Sequence, residues 1–234
     1  PPPPEDADST KATGKVRHTT DDYPKRNRDA ADRTARWLER CTKAHDRADE
    51  QALFGIVQGG TDLALRTRCV EQICGMDLPG YAIGGVAVGE GPELVAEVVR
   101  HTAPLMPEDK PRYLMGVGYA RDIINAVEAG VDMFDCVLPT RNGRNANAFT
   151  RAGQIRLRNA QFAEDDGPID PQCGCPVCRG YSRAYIRHLF MSDEMLGPIL
   201  VSWHNIAYFQ SLMLDIRGAI REDGWSLLQS KWLG

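Results

Sequence analysis

The feature that most limits the fold is a regular alternation of short β-rich runs and helical patterns through the middle of the chain. Each run ends near a glycine or a polar residue and is followed by a stretch whose apolar residues recur at helical spacing. This alternation predicts parallel βαβ units with right-handed crossovers. The expected strands are Leu53 to Val57, Tyr81 to Gly84, Arg112 to Met115 and Met133 to Val137, with helices at about 62–74, 92–105 and 120–129.

Two α/β architectures are compatible with this alternation. The strand spacing matches a (β/α)8 barrel, which needs about 250 residues for eight units. Only four strands are found in the 234 residues, and half a barrel alone would leave two open sheet edges and an unfilled interior. A small doubly wound sheet with a cysteine-rich knuckle appended is therefore an equally open interpretation.

The segments on either side of the alternation have different patterns. Residues 1–27 begin with four prolines and contain almost no aliphatic side chains, which predicts a flexible insertion or linker. The spacing from about Arg28 to His45 predicts an amphipathic helix. Later in the chain, Asn147 to Thr150 and Gln154 to Leu157 predict a β-hairpin, and a helical stretch follows from about Asp193 to Ile220.

The composition is that of an ordinary soluble globular protein, with 42% hydrophobic and 26% charged residues. No run approaches the roughly 18 to 20 apolar residues that a membrane helix requires. The amino-terminal residues also lack the basic flank and apolar stretch of a signal peptide. We therefore expect a cytoplasmic protein without a membrane partner.

A basic window interrupts the overall net charge of -4. No acidic residue lies between Asp135 and Glu164, whereas the window contains five arginines: Arg141, Arg144, Arg151, Arg156 and Arg158. Such a window can face the phosphates of a nucleic acid. A solvated surface is the commoner role of an arbitrary arginine-rich stretch, so both interpretations stay open.

A cluster of cysteines predicts a metal site. Cys173, Cys175 and Cys178 lie within six residues of a chain that contains seven cysteines, which favours metal binding over disulfides. With His204 they would offer three thiolates and one imidazole, which fill a tetrahedral zinc and leave no open position for water. The site would therefore be structural, and His188 is the alternative imidazole.

Polar or glycine-rich residues follow each expected strand, where a barrel builds its active site. They are Gln58-Gly59-Gly60, Gly84-Gly85-Val86, Gly116-Val117-Gly118 and Asp135-Cys136. Each of these alone is more often a tight turn than a binding loop. The amide of Gln58 has a donor and an acceptor that suit a purine edge. Asp135 interrupts an apolar strand, and its role could be that of a nucleophile, a general base, or a capping or salt-bridging group.

Five motifs follow one another along the chain: FGIVQGG (54–60), YAIGGVAVGE (81–90), YLMGVG (113–118), MFDCVLPTRNGRN (133–145) and CGCPVC with the later His204. Taken together, they resemble the motifs of tRNA-guanine transglycosylases, and GGVAVGE is closer to the bacterial members. The resemblance implies an irregular (β/α)8 TIM barrel with an inserted zinc-binding subdomain, of which this chain holds the carboxyl-terminal half. It implies a linker at 1–27, half of the barrel at 28–145, and the hairpin, zinc-binding subdomain and closing helices at 146–234.

The resemblance also implies residue roles and a reaction. Asp135 would attack C1′ of guanosine 34 in the anticodon loop, and guanine would be exchanged for 7-aminomethyl-7-deazaguanine in queuosine biosynthesis. Gln58, Gly85, Val86 and Met115 would contact the base, although Val86 replaces the leucine usual in the family. Arg141 and Arg144 would hold the RNA on either side of position 34, and the zinc would be structural.

The same resemblance implies the binding partners, and it shows that two aspartates of the family are missing from this sequence. We expect a tRNA with a GUN anticodon, a small 7-deazaguanine base and a homodimer of the full-length protein. Two aspartates that the family uses, one as general acid/base and one to read the purine, have no counterpart before Gln58. The chain alone is therefore expected to be inactive. The alternative is a non-catalytic tRNA-binding subunit of a heterodimeric transglycosylase.

Overall fold

The computed structural model describes residues 22–233, which form two compact units. The first unit extends to Val117 and includes Asn125–Asp135. The second contains Gly118–Ile124 and the residues from Cys136 onward. The predicted domain boundary at 145 differs from this division, because the residues between 136 and 145 belong to the second unit.

The first unit contains the predicted alternation of strands and helices. Its observed elements are α1 (Tyr23–Ala44), β1 (Phe54–Val57), α2 (Leu63–Cys74), β2 (Gly80–Ile83), α3 (Pro92–Thr102), β3 (Arg112–Leu114), α4 (Ala120–Glu128) and β4 (Met133–Phe134). The carboxyl-terminal part of α4 belongs to this unit. A 3-10 turn at Ala103–Leu105 extends α3 to the predicted end of that helix.

The four strands form one parallel sheet in the order β1-β2-β3-β4. This result confirms the α/β class that the sequence predicts. A doubly wound sheet changes direction at a switch point, whereas this order is sequential, as it is along a barrel wall. Among residues 22–233 the sheet is open and is not closed into a barrel.

Helix α2 covers one face of the sheet with the buried side chains of Leu65, Cys69, Val70 and Ile73. The close packing depends on Gly55 in β1, where a Cβ atom would lie 2.6 Å from the Ile73 side chain. Interiors this dense leave no room for an added methyl group. A fixed sheet of this kind holds the residues that follow each strand in defined positions.

Helix α1 begins at Tyr23, five residues before the predicted start at Arg28. Pro24 lies in its first turn, where the missing N–H costs nothing. The Asn27 side chain donates a hydrogen bond to the Gly59 carbonyl over 2.7 Å. Residues 23–27 therefore belong to the helix and not to the predicted linker, and residues 1–21 of that linker lie outside the described residues.

The second unit contains the predicted hairpin and the predicted long helix. Its elements are α5 (Leu138–Arg144), β5 (Asn147–Thr150), β6 (Gly153–Arg156), α6 (Pro176–Gly180), α7 (Arg183–Met191), α8 (Leu196–Arg221) and α9 (Trp225–Leu233), with a 3-10 turn at Ala160–Phe162. Strands β5 and β6 pair antiparallel. The predicted fourth strand ends at Phe134 instead of Val137, because the chain enters α5 soon afterwards.

Helix α5 packs closely against α8. At Gly143 an added Cβ would lie 2.6 Å from the Ser202 backbone nitrogen, so only glycine permits this approach. The buried Asn205 of α8 donates to the carbonyls of Pro139 and Asn147 over 2.9 and 3.0 Å, and its Oδ1 accepts from the Phe149 N–H. One amide side chain thus joins α5, β5 and α8. Between residues 22 and 233, no helix has the length and apolar character needed to cross a membrane.

Candidate functional site

Asp135 directly follows β4, and one of its carboxylate oxygens is held by two donors. Oδ1 accepts a hydrogen bond from Tyr113 Oη over 2.7 Å and another from the Gly116 N–H over 2.9 Å. Both donors come from β3 and the turn after it, which lie beside β4 in the sheet. The side chain is exposed, and none of the described residues donates to Oδ2. This oxygen can therefore approach a bound electrophile.

Tyr113 is a functional candidate that the sequence reasoning missed. Its hydrogen bond to Asp135, with burial and the carboxylate charge as lesser causes, raises the pKa of Tyr113 to about 12. The phenol therefore keeps its proton at neutral pH and remains a donor to the carboxylate. Alternate residues of a strand point to the same side, so Tyr113 lies on the same side of β3 as Met115. This spacing could have indicated in the sequence that Tyr113 lies near the site.

Gln58 and Gly85, the two predicted purine-reading residues, lie next to each other. Gln58 follows β1, and the Gly84-Gly85 pair follows β2. Gly85 has a φ of +67°, and an added Cβ there would lie 2.3 Å from Gln58 Oε1. The Gln58 amide therefore lies against the bare backbone of Gly85, an arrangement open to a flat ligand.

Val86 and Met115 occupy the neighbouring turns. Val86 is buried, with 4% of its surface exposed, and its predicted contact with the base is through the backbone. Met115 directly follows β3, is half-buried, and donates its N–H to the Ile83 carbonyl over 3.3 Å. All the predicted base-contacting residues and Asp135 thus follow the carboxyl ends of adjacent parallel strands.

Arg66 of α2 is a second residue that the sequence reasoning missed. It is fully buried, and its guanidinium donates to the carbonyls of Gly60, Val57 and Gly84 over 2.9, 3.3 and 2.8 Å. Burial lowers the pKa of Arg66 to about 10, so the side chain remains charged at neutral pH. The signal was an arginine on the apolar stripe of α2, three residues before the buried Cys69.

The predicted metal ligands lie together in the second unit. One ligand atom from each of Cys173, Cys175, Cys178 and His204 lies within 4.8 Å of the others, so this group could hold a metal ion. His204 Nδ1 lies 3.3 Å from Cys178 Sγ and 3.7 Å from Cys175 Sγ. The ligand atoms of a tetrahedral Cys3His zinc are roughly 3.5–3.8 Å apart, so these distances fit.

The orientation of the His204 ring also fits a metal. Nε2 lies 2.7 Å from the Phe149 carbonyl and donates to it, which leaves the Nδ1 lone pair directed at the cysteines. Burial raises the pKa of the Cys173 and Cys178 thiols and lowers the pKa of His204. A bound metal would replace the thiol protons. His188, the alternative imidazole, is exposed and is not a member of the group.

The loop that carries the cysteines is held by hydrogen bonds to the side chains of Cys175 and Asp170 and to the Asp170 carbonyl. Cys175 caps α6, where its Sγ accepts the Cys178 N–H over 3.4 Å. The buried Asp170 accepts from the N–H groups of Gln172 and Arg151 over 2.9 and 3.0 Å. The Cys173 N–H also donates to the Asp170 carbonyl. The sulfur atoms are therefore positioned by a folded turn and not by a disordered segment.

The arginines of the basic window have different environments. Arg141 and Arg144 are exposed in the last turn of α5, and Arg156 and Arg158 are exposed on and beside the hairpin. Arg151 is different, because it donates to Ser211 and Asp215 over 3.1 and 3.5 Å and lies 3.7 Å from the centre of the Trp232 ring. Its inclusion in the predicted phosphate-facing patch was wrong, since this guanidinium is occupied inside the unit.

Comparison with known proteins identifies similar sequences over most of the chain. Residues 14–234 match the family model described as Queuine tRNA-ribosyltransferase. Proteins of that name from Desulforamulus reducens, Geobacillus thermodenitrificans and Cyanothece sp. are 56%, 52% and 51% identical to it. The matches cover 83%, 87% and 88% of this chain but 52%, 53% and 54% of those proteins. The chain thus spans about half the length of the curated relatives it matches.

Proposed function

The chain belongs to the queuine tRNA-ribosyltransferase family, and from that premise we propose that it supplies the nucleophile, part of the base pocket and the zinc site of a tRNA-guanine transglycosylase. The observation that carries the proposal is the anchored carboxylate of Asp135, which has one oxygen held by Tyr113 and Gly116 and the other available. A pentosyltransferase that forms a covalent intermediate needs such a group.

The reaction has two displacement steps at one carbon. Oδ2 of Asp135 attacks C1′ of guanosine 34, the C1′–N9 bond breaks, and guanine leaves with a proton from the family's general acid/base, which has no counterpart before Gln58 in this chain. The ring oxygen shares the positive charge in an oxocarbenium-like transition state. The 7-aminomethyl-7-deazaguanine then attacks C1′ through N9, gives its N9 proton to the same general acid/base, and releases the carboxylate. The two donors to Oδ1 hold the carboxylate in place before the attack and bind its charge again when the ester bond breaks.

The base is held where strands β1, β2 and β3 end. Gln58 has both a donor and an acceptor for a purine edge. The backbone of Gly85, which has no side chain of its own, and the backbone of Val86 offer N–H and C=O groups to the base. Met115 packs against the ring of the base. Val86, where leucine is usual in the family, is buried and is assigned its contact with the base through its backbone.

The RNA partner is a tRNA with a GUN anticodon. Arg141 and Arg144 are exposed and one turn apart on α5, a spacing at which two guanidinium groups can contact neighbouring phosphates. A target nucleotide taken out of its stack requires that its flanking nucleotides be held. These two arginines are therefore assigned to the nucleotides on either side of position 34.

Zinc has a structural role in this proposal. Cys173, Cys175, Cys178 and His204 complete a tetrahedral set, and such a closed set provides folding energy and no open position for substrate. The Cys3His group joins the cysteine loop to α8, which carries His204. We also propose that the sheet of the first unit is half of an irregular TIM barrel and that the full-length protein forms a homodimer.

The proposal is tested with the full-length gene product and with the 234-residue chain. Labelled guanine should enter an anticodon stem-loop when the full-length product is present, and an acid-quenched denaturing gel should show an RNA–protein adduct. Asp135→Asn should abolish both signals. Asp132→Asn, which changes the aspartate at the opposite end of β4, should retain both. Exchange by the Asp135→Asn variant would refute the assignment.

Two further outcomes decide between the alternatives. The 234-residue chain alone should incorporate no guanine, since no residue before Gln58 matches the family's general acid/base. Incorporation would refute this expectation. Tight tRNA binding by the full-length product without any exchange would instead indicate the non-catalytic subunit of a heterodimeric enzyme. Sedimentation of the full-length product tests the homodimer.

A further inference from the structure

We infer that Arg66 is the positioning residue of the base pocket, because its buried guanidinium fixes the two loops that carry Gln58 and Gly85 relative to each other. The inference rests on the proposed function, since it assigns a role within the pocket described above. Arg66 lies beneath the pocket on α2 and is assigned no contact with the base. Its effect is exerted through the backbone on either side of Gln58 and before Gly85.

The guanidinium joins three separate points of the main chain. Nη1 donates to the carbonyl of Val57, the last residue of β1, and Nε donates to the carbonyl of Gly60 in the following loop. Nη2 donates to the carbonyl of Gly84, directly after β2. Gln58 lies between the first two acceptors, and Gly85 directly follows the third. Both predicted base-reading residues are therefore adjacent to carbonyls that Arg66 holds.

The backbone of Gln58 is held from a further direction. Its N–H donates to Cys69 Sγ over 3.2 Å, and Cys69 lies one turn beyond Arg66 on the same helix. Gly59 and Gly60 have φ values of +141° and +58°, which other residues rarely adopt. Such a loop conformation depends on contacts from neighbouring elements. Asn27 of α1 holds Gly59, and the contacts from α2 hold the backbone on either side of Gln58.

Arginine is suited to this task in a way that lysine is not. A guanidinium presents five N–H donors in a rigid planar fork, so it can reach three carbonyls that lie in different directions. A lysine ammonium offers its donors from a single point. No side-chain carboxylate is hydrogen-bonded to Arg66 among the described residues, so its donors are used on the main chain. This arrangement orders backbone and does not form an ion pair.

The same unit contains a matched control. Arg112 is also buried, and it donates to the carbonyls of Met106, Pro107 and Gly130. It is the first residue of β3 and therefore lies at the amino ends of the parallel strands, away from the pocket. Arg66 and Arg112 thus have the same chemistry and similar burial at opposite ends of one sheet.

The test compares Arg66→Lys with Arg112→Lys in the full-length gene product. Both variants should lower the melting temperature and keep their zinc. Only Arg66→Lys should raise the KM for guanine, by roughly 10- to 100-fold as expected for a misplaced binding group, while the KM for tRNA stays within a factor of about three. Arg66→Gln, which buries no charge, should have the same effect on the KM for guanine.

Three results would overturn the inference. The first is a folded Arg66→Lys or Arg66→Gln variant with an unchanged KM for guanine. The second is an equal rise of that KM in Arg112→Lys, which would show a general effect of stability. The third is the failure of both Arg66 variants to fold, which would make the residue a purely structural one. A wild-type protein that exchanges no guanine would instead refute the proposed function.

Discussion

Tyr113 and Asp135 are 22 positions apart in the chain, yet Tyr113 Oη donates to Asp135 Oδ1 over 2.7 Å. The parallel pairing of β3 with β4 produces this contact, since Tyr113 lies opposite Met133 in the register and Asp135 follows two residues later. The phenol therefore fixes the carboxylate from the neighbouring strand. The effect of this hydrogen bond on the reaction can be measured separately from the effect of the proposed base pocket on guanine binding.

Removing the Tyr113 hydroxyl should slow the chemical step. In Tyr113→Phe we expect kcat to fall by about ten-fold, because a hydrogen bond to a charged group contributes roughly 1.5–3 kcal/mol and this one is partly exposed to water. The KM for guanine should stay unchanged, because Gln58 and Gly85 are intact. Steady-state exchange kinetics measure both values. An unaltered kcat would show that the Gly116 N–H alone positions the carboxylate.

The titration of Tyr113 should report the charge of Asp135. Its pKa is raised to about 12, mainly by the hydrogen bond to Asp135, so the folded state favours the protonated phenol. The stability from this contact is fully present below the ordinary tyrosine pKa of about 10 and is lost as the pH rises through about 12. In Asp135→Asn the pKa should fall toward its ordinary value. Ultraviolet difference titration, with Tyr113→Phe as the blank, measures the shift.

A methyl group at Gly85 should damage base binding. The added Cβ would lie 2.3 Å from Gln58 Oε1 and would displace that side chain, so Gly85→Ala should weaken guanine binding by roughly ten-fold or more. Gly153→Ala is the control, since Gly153 also has a positive φ of +111° but an added Cβ there meets no atom within 4 Å. Calorimetric titration with guanine measures the affinity of both variants. An equal loss of affinity in the two variants would contradict the prediction.

Charge removal on α5 should weaken RNA binding in a salt-dependent way. The double variant Arg141→Ala/Arg144→Ala should lower tRNA affinity and reduce the slope of log K against log salt by about 0.7–0.9 for each phosphate that is no longer neutralised. Arg217→Ala removes an exposed arginine from α8 and should leave the slope unchanged. Filter binding at several salt concentrations provides the measurement. Unchanged affinity would indicate a zinc module without a role in RNA binding.

Substitution of two histidines, one in the proposed zinc site and one on the surface, tests which imidazole binds the metal. His204→Ala should lose zinc affinity by more than about 100-fold, since removal of a ligand costs more than the 10- to 100-fold typical of its supporting partners. His188→Ala should keep one zinc per chain, because its ring lies outside the Cys3His group. Metal analysis after dialysis against a chelator tests this prediction. Thermal unfolding should show the loss of stability in the first variant only.

The sequence was sufficient for the strands, the hairpin and the metal group, because hydrophobic periodicity and ligand spacing are local signals. It was insufficient for α5, where Pro139, Asn142 and Gly143 are poor helix formers. That helix depends on packing, since Gly143 allows close approach to Ser202. The low helix propensity of these residues is outweighed there by the packing of α5 against α8, which is distant in the sequence.

Side-chain partners were the second kind of information that the sequence did not contain. Arg151 belongs to a run of positive charge, yet Asp215 and Trp232, which occupy its guanidinium, lie more than 60 positions later. Tyr113 likewise looks like an ordinary strand aromatic until β4 brings Asp135 beside it. The assignment of Asp135, Gln58 and the α5 arginines to their roles remains a prediction that the variants above address.

The acceptors of Arg66 are main-chain oxygens, which every amino acid possesses. The hydrogen bonds of Arg66 therefore do not involve the side chain of Gln58, which is assigned to read the base. An engineer who wished to admit a different heterocycle could replace Gln58 and retain the scaffold, provided that the Arg66 guanidinium and the loops it holds were left unchanged. The residue that reads the base and the residue that positions its loop are thus separate targets for redesign.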